Sequence, residues 1–106
     1  MINIKQFAEI ELRTARVLAA KRVPDTDKLL HLRVNAGSEE RDLVEGIAEV
    51  YAPDELIGRT IIIVANLEPA TICGVRSEGM LLAADVDGRP IVATFGEEVP
   101  AGKRVR

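Results

Sequence analysis

The chain has 106 residues, 47% of them hydrophobic, and a net charge of −3, so it can bury one small core but is too short for two. One cysteine, Cys73, and one histidine, His31, exclude a disulfide framework and a Cys/His-rich zinc site. No stretch reaches the roughly 18 apolar residues that span a bilayer, and the amino terminus lacks a signal-peptide pattern. We therefore expect one cytoplasmic domain over residues 1–106, with no membrane, metal or cofactor.

The first predicted elements are a short helix and a long strand. Asn3 can cap a turn of helix through IKQFAEI. From Glu11 to Val23, apolar and β-branched residues are interleaved with charged ones, which predicts a strand. The small pair Thr14-Ala15 favours a bend or bulge within that strand.

The next segment, KLLHLRVNA, alternates between apolar and polar residues, which predicts a half-buried strand. The residues on its apolar face are Leu30, Leu32, Val34 and Ala36. GSEE then favours a hairpin turn, and RDLVEGIA returns as the third strand.

The second half of the chain predicts a helix followed by further strands. AEVYAPDELIG has helical character, with Pro53 at a favourable helix start. TIIIVANL, from Thr60 to Leu67, is apolar at five consecutive positions and predicts a strand covered on both faces. GMLLAADV and PIVATF form a hairpin across Asp87-Gly88-Arg89. This order predicts an all-β OB-fold: a closed five-stranded barrel with one short helix, near residues 48–57, plugging one end.

The segment GVRSEG half-matches two catalytic signatures. A P-loop requires a lysine where Met80 stands, and a nucleophile elbow requires a glycine where Val75 stands. A hydrolase based on Ser77 and His31 lacks a third residue that orients the base. We therefore expect a protein that is not an enzyme, in which GVRSEG is a loop leading into a barrel strand.

Three separated segments carry a resemblance to a known family. NLEPATICGVRSEGM resembles the Asn-Leu-x-Pro…Gly…Ser-x-Gly-Met segment of the tRNA-binding domain that is appended to methionyl-tRNA synthetases and also occurs as free-standing dimeric tRNA-binding proteins. FAEIELRTARV and VPDTDKLLHLRV resemble the family's opening segments, and PAGKRVR its closing one. The similarity spans essentially the whole chain.

The resemblance implies an OB-fold that grips structured tRNA by its shape and backbone without catalysis. It also implies a homodimer formed by a C-terminal extension after the barrel, with an aminoacyl-tRNA synthetase as a further possible partner. The family includes a protein-binding chaperone, so a chaperone-like dimer on the same fold is the alternative function. One departure favours that alternative: after Pro69 the family carries two or three basic residues, whereas this chain has Ala70-Thr71-Ile72-Cys73-Gly74.

Charge placement and the resemblance together select candidate tRNA-binding residues. Residues 1–33 carry seven basic and four acidic residues, and the remainder carries seven basic and thirteen acidic. The candidates are Arg13, Lys21, Arg22, Lys28, Arg33, Asn66, Arg76 and Ser77. Each candidate also has a purely structural explanation. The cations can form an ordinary salt-bridged exterior, Asn66 can satisfy loop carbonyls and Ser77 can cap its turn. The scarcity of aromatic residues argues against a stacking platform for single-stranded RNA.

Apolar residues near the carboxyl end suggest how the chain assembles. A barrel of this size leaves them only partly covered, and exposed apolar patches tend to be interfaces. These residues are Ile91, Val92, Phe95, Val99 and Val105. We predict a two-fold homodimer built mainly from residues 86–106, with the N-terminal turn as a second contribution.

Overall fold

The computed structural model describes residues 1–106 and contains two short helices and ten strands. Helix α1 is Ile4–Ala8 and helix α2 is Pro53–Leu56. The strands in chain order are β1 Leu12–Arg22, β2 Leu30–Asn35, β3 Glu40–Glu45, β4 Thr60–Val64, β5 Ala70–Ile72, β6 Val75–Ser77, β7 Met80–Leu81, β8 Ala83–Val86, β9 Arg89–Val92 and β10 Arg104–Val105. The predicted all-β class is confirmed.

One antiparallel sheet organises the fold, with the strand order β3-β2-β1-β4-β7. β10 pairs with the first two residues of β1, beyond the end of β2. The sheet curls until β3 approaches the segment around β7, as an OB-fold requires. There the Glu78 N–H donates to the Asp42 carbonyl at 2.8 Å, and the Leu81 N–H donates to the Glu45 carboxylate at 2.9 Å. The predicted closed barrel is thus a curled half-barrel, because these single bonds replace a continuous ladder between β3 and β7.

The alternation in β2 supplies much of the hydrophobic core. Leu30, Leu32 and Val34 are fully buried, as the period-2 pattern predicts. Ile61 and Ile63 of β4 are fully buried in the same cluster. The sequence pattern therefore identified the inward face of β2, whereas the continuous apolar run of β4 predicted no single inward face.

The other face of β4 is covered less completely than its sequence predicts. Ile62 and Val64 are only half-buried, so the expectation of a strand covered on both faces is wrong for the single chain. Direct pairing places Val64 beside Leu12 and Met80 on the outer face, and Val105 of β10 beside Leu12. We call these four residues, Leu12, Val64, Met80 and Val105, the outer row.

The bulge in β1 lies at Leu18, where the pairing with β2 shifts between Val17 and Ala19, and not at the predicted pair Thr14-Ala15. The bulge changes which residues of β1 face the core, because one extra residue reverses the alternation. Lys21 would share the buried face of Val17 in a regular strand. After the bulge it lies on the outer face, where it is exposed.

The predicted helix is shorter than the interval 48–57. Residues 47–51 form a turn in which the N–H of Tyr51 donates to the carbonyl of Ile47 at 3.0 Å. Pro53 then begins a single helical turn, since its fixed φ suits a first helical position. Leu56 in that turn is fully buried and joins the core.

Two predicted local motifs are confirmed. Asn3 caps α1, since its side chain accepts the Gln6 N–H at 2.9 Å and the Gln6 side chain accepts the Asn3 N–H at 2.9 Å. β8 and β9 form the predicted hairpin, which turns at Asp87-Gly88 with both residues at positive φ.

Candidate nucleic-acid interface

Part of the predicted basic surface lies on the outer face of β1, β2 and β3. Lys21 is directly opposite His31, and Arg33 is directly opposite Asp42. Directly paired residues share a face of the sheet, and these four line one shallow cavity of about 230 Å³. Lys21 is exposed and forms no ion pair, so its charge is available to a ligand.

Arg33, in contrast, is already paired with carboxylates. Its Nε donates to Glu40 at 3.0 Å and its Nη1 donates to Asp42 at 2.7 Å. The hydrogen bond to Glu40 raises the pKa of Arg33 against the opposing effect of desolvation, and Asp42 raises it further. Asp42 also contacts the Nε2 of His31 at 2.9 Å. An RNA phosphate that binds Arg33 therefore competes with these carboxylates for the guanidinium.

Arg22 and Lys28 lie together at the end of the β1–β2 hairpin. The Nη1 of Arg22 donates to the carbonyl of Ala48 at 3.4 Å. The carbonyl of Lys28 accepts the N–H of Ala48 at 3.0 Å, which holds the loop after β1 against the turn before α2. The Nζ of Lys28 is 3.9 Å from a carboxylate oxygen of Glu49, and both side chains are largely exposed. Exposed pairs of this kind contribute little and exchange partners readily.

Arg13 is separated from the other predicted cations. It is the second residue of β1, whereas Arg22 is the last, and nine residues of strand span about 30 Å. The Nε of Arg13 contacts Glu11 at 2.6 Å, and its Nη1 donates to the carbonyl of Gly102 at 3.3 Å. The structure therefore does not bring Arg13 onto the surface of Lys21 and Arg33.

Arg76 lies on a projecting hairpin formed by β5 and β6. Arg76 is directly opposite Thr71, and both are exposed. Ala70 and Ser77 are paired on the opposite face of the hairpin, which packs against β3. Arg76 forms no ion pair, so it is the freest of the predicted cations beside Lys21.

The structure argues against Ser77 as a tRNA-binding residue. It is buried, and its Oγ accepts the N–H of Val44 at 3.0 Å and donates to the carbonyl of Gly79 at 3.3 Å. The hydroxyl fastens the hairpin to β3 and has no exposed donor left for a phosphate. Sequence reasoning placed it on a ligand-facing loop because GVRSEG gives no sign that its serine points inward.

Two backbone segments approach each other so closely at Gly79 that there is no room for a side chain. It has φ +149°, and a Cβ at this position would lie 2.9 Å from the carbonyl oxygen of Val64 and 3.3 Å from the side chain of Leu43. A side chain here would push β7 away from β4. The second glycine of GVRSEG therefore has a packing role.

Asn66, just after β4, links the end of that strand to the N-terminal segment through two hydrogen bonds. Its Oδ1 accepts the N–H of Glu11 at 2.8 Å, and its Nδ2 donates to the carbonyl of Glu9 at 2.7 Å. Both ends of the amide are used, which matches the alternative that Asn66 satisfies loop backbone groups. The side chain positions the residues between α1 and β1.

Sequence reasoning did not identify two groups of residues that shape this surface. The first is the carboxylates Glu40 and Asp42, whose pairing with Arg33 depends on the register of β2 and β3. The second is the basic tail, Lys103 and Arg104, which is exposed and forms no ion pair. The charges of the tail were visible in PAGKRVR, but its pairing with β1 was not.

Comparison with known proteins identifies the family. A family model described as "Putative tRNA binding domain" matches residues 12–104. The chain belongs to this family. Methionine–tRNA ligases from Methanothrix thermoacetophila and Thermotoga maritima are 49% and 45% identical over 106 and 104 residues, which is 100% and 98% of this chain and 16% of each ligase. The chain thus spans a small part of the length of these curated relatives.

Two solved structures share the fold of this tRNA-binding domain along the whole chain. The MetRS related protein from Pyrococcus horikoshii has a TM-score of 0.95 and 38% identity, and covers 100% of this chain and 98% of its own. The chaperone CsaA from Bacillus anthracis has a TM-score of 0.90 and 26% identity, covering 100% and 99%. The family resemblance predicted from the sequence is confirmed.

Neither α1 nor α2 has the length and the run of apolar residues that a membrane-spanning helix needs. No group of three or more His, Cys, Asp or Glu side chains is arranged to hold a metal ion.

Proposed function

We propose that residues 1–106 act as one domain that binds tRNA through its phosphate backbone and has no catalytic activity of its own. The observation that carries this proposal is the family match over residues 12–104, in a chain that exposes unpaired cations at Lys21 and Arg76. Phosphate contacts position a nucleic acid without reading its sequence. We therefore expect binding to structured tRNA with little discrimination among tRNAs.

The proposed contact surface consists of two parts. Lys21, Arg22, Lys28 and Arg33 form the strand part, and Arg76 with Thr71 forms the hairpin part. Arg33 and Lys28 contribute by exchanging their carboxylates for phosphates. Asn66 contributes indirectly by holding the N-terminal segment, and Ser77 is left out because its hydroxyl is internal.

A catalytic role is not part of the proposal because the two candidate residues do not meet. His31 does have an orienting partner, Asp42, at 2.9 Å, which the sequence did not predict. The hydroxyl of Ser77, however, bonds to the backbone of Val44 and Gly79 and not to His31. A nucleophile must contact its base, so this arrangement lacks the first requirement of a hydrolase.

We also propose that the domain forms a two-fold homodimer through residues 86–106 and the N-terminal turn. Val86 and Ile91 are 48% and 36% exposed, and Ile2 and Ile4 are more exposed still. The outer row, in which Met80 is exposed and the other three residues are half-buried, adds an apolar strip next to β10. A mass of one chain in light scattering at micromolar concentration contradicts the dimer.

The whole protein in which the domain acts is a further part of the proposal. The chain aligns with part of methionine–tRNA ligases that are much longer than it is. We propose that it works with a methionyl-tRNA synthetase in the cytoplasm, either as a module or as a separate chain, and raises the affinity for tRNA while another domain performs aminoacylation. Co-purification with the synthetase tests this association.

The direct test measures binding of total tRNA to the full chain at two salt concentrations. About four phosphate contacts predict that affinity falls on the order of a hundredfold between about 50 and 200 mM salt. A second measurement uses a variant with Lys21→Gln and Arg22→Gln. This variant should bind tRNA more weakly than the wild type and with a shallower salt dependence. A dimer that binds no tRNA at low salt contradicts the proposal.

A second candidate, a protein-binding dimer of the chaperone type, is favoured by one specific observation. Four of the six cations from Arg13 to Arg33 are paired with carboxylates, and the chain lacks the basic residues that the family carries after Pro69. The fold is shared with the CsaA chaperone. Salt-insensitive binding of an unfolded polypeptide, together with absent tRNA binding, would favour this candidate.

A further inference from the structure

A second group of cations surrounds a cavity at the start of β1, far from Lys21 and Arg76. The cavity has a volume of about 550 Å³ and lies between β1, the turn joining β2 to β3, and the tail segment 101–103. The residues that carry its charges are Glu11, Arg13, Glu39, Arg41 and Lys103. A volume of this size can admit a nucleotide-sized group.

The tail forms a fixed wall of this cavity. The Thr14 N–H donates to the Lys103 carbonyl at 2.8 Å, and the Gly102 N–H donates to the Thr14 carbonyl at 2.8 Å. The Thr14 hydroxyl also accepts the Lys103 N–H at 2.8 Å. Gly102 touches the β2–β3 turn so closely that a Cβ on it would lie 2.6 Å from the Cα of Gly37. The backbone beside Lys103 is therefore held in place without a ligand.

The charges around the cavity do not cancel. The carboxylate of Glu11 is bonded to Arg13 at 2.6 Å, and the carboxylate of Glu39 is bonded to Arg41 at 2.6 Å. Lys103 forms no ion pair, so no carboxylate of the chain cancels its charge. The cavity thus carries a net positive charge that nothing in the chain neutralises.

A neighbouring pair of arginines adds to this excess. Arg104 of β10 is directly opposite Arg13 of β1, so the two side chains share a face of the sheet. Arg104 is exposed and forms no ion pair. Like charges directly opposite each other destabilise a strand pair, and an anion bound between them removes that repulsion.

We infer that this cavity is a phosphodiester site, lined by Lys103 and Arg13 with Arg104 beside Arg13, that takes the RNA backbone at the end of β1 away from Arg22. The inference rests on the proposed function for the source of the phosphodiester. β1 separates the two groups of cations by about 30 Å, so a structured RNA long enough to follow the strand can reach both. Arg41 holds the wall, since its Nη1 donates to the carbonyls of Ala65 and Glu78.

The first test compares two charge reversals in the full chain. Lys103→Glu should weaken tRNA binding by about tenfold and lower the slope of its salt dependence by about one unit. Arg59→Glu is the control, because Arg59 is also exposed and forms no ion pair but lies just before β4, with its guanidinium carbon 5.8 Å from the centre of the Tyr51 ring. It should change the affinity less than twofold. Because Lys103 also lies in the segment 86–106 proposed for the dimer, light scattering checks that both variants keep the wild-type mass. Equal losses in the two variants overturn the inference.

The second test does not depend on tRNA. In NMR titrations of the full chain, dimethyl phosphate should shift the amides of Ser38, Gly102 and Lys103 selectively, and the shifts should disappear in Lys103→Glu. Sodium chloride at matched ionic strength is the control. Dispersed signals from the core of the variant show that it is folded.

The two tests separate this inference from the proposed function. Selective shifts in a chain that binds no tRNA support the phosphodiester site and contradict the proposed function. No selective shift in a chain that binds tRNA overturns the site and leaves the proposed function standing. A response to inorganic phosphate but not to dimethyl phosphate means that the cavity takes a free or terminal phosphate, which overturns the assignment to RNA backbone.

Discussion

The cations of the first two strands and those of the hairpin and tail differ in what surrounds them. Arg33 has two carboxylates within 3.0 Å, and Arg13 has one at 2.6 Å. Arg76 and Lys103 have none. Four of the seven cations in residues 1–33 are paired with carboxylates and Lys21 is among the free ones, so the charge that this segment offers a ligand is smaller than its basic surplus suggests. A count of charges along the sequence measures the net charge of a segment but not the charge that a ligand can use.

The largest expected effect is on stability and comes from Glu45, a largely buried carboxyl group that forms no ion pair. Burial raises its pKa from 4.5 to about 7, and the hydrogen bond from Leu81 opposes this rise only in part. The folded state thus holds a proton that the unfolded state releases above about pH 4.5. The free energy of unfolding should fall as pH rises through this interval, by at most about 3 kcal/mol.

Glu45→Gln tests that expectation, because glutamine keeps an acceptor for the Leu81 N–H without ionising. Its stability should depend less on pH between about 5 and 8 than that of the wild type. Denaturant unfolding at several pH values measures the difference, with the exposed carboxylate Glu55 as a control through Glu55→Gln. Parallel pH profiles for wild type and Glu45→Gln would show that Glu45 stays ionised in the fold.

The next effect tests the contrast between free and paired cations directly. Arg76→Gln should weaken tRNA binding by about tenfold, because it removes an exposed cation with no carboxylate beside it. The matched change is the charge-neutral double variant Arg33→Gln with Asp42→Asn, which should cost less than about twofold. Filter binding at fixed salt measures both. A loss in the double variant as large as the loss in Arg76→Gln would mean that the carboxylates beside Arg33 do not reduce its contribution to binding.

The smallest effect should be a gain. Thr71 shares the exposed face of the hairpin with Arg76, whereas Ala70 shares the face of the buried Ser77. Thr71→Lys should therefore tighten tRNA binding by about threefold, and Ala70→Lys should tighten it less. Binding curves at low salt distinguish the two variants. Equal gains would indicate that the hairpin presents both faces to the RNA, contrary to its packing against β3.

The fold was predictable where a local pattern and the core agree. Leu30, Leu32 and Val34 alternate with polar residues, and a period of two leaves one choice of buried face. The cap at Asn3 and the turn at Asp87-Gly88 are equally local. The bulge at Leu18 was not predictable, because it depends on how β1 pairs with β2, and several positions in the strand could accommodate it.

The candidate site was predictable only as a set of charges. The pairing of Arg33 with Asp42 follows from the register of two strands, and the pairing of Arg104 with Arg13 joins residues at opposite ends of the sequence. Ser77 was misplaced for the same reason: its partner Val44 lies 33 residues away. Contacts of this kind are set by tertiary structure and leave no periodic signal in the sequence.

The hydrogen bonds of Thr14 to the tail also determine how the tail detaches from the sheet. They join positions as much as 89 residues apart, and the tail touches the sheet through few other bonds, so its detachment is a local unfolding event rather than a global one. Lys103 and Arg104 occupy their places only while the tail is docked. A phosphate that binds the docked state alone pulls this equilibrium toward it. Because the tail is docked without a ligand, we expect phosphate binding to slow further the hydrogen exchange of the amides of Thr14, Gly102 and Lys103.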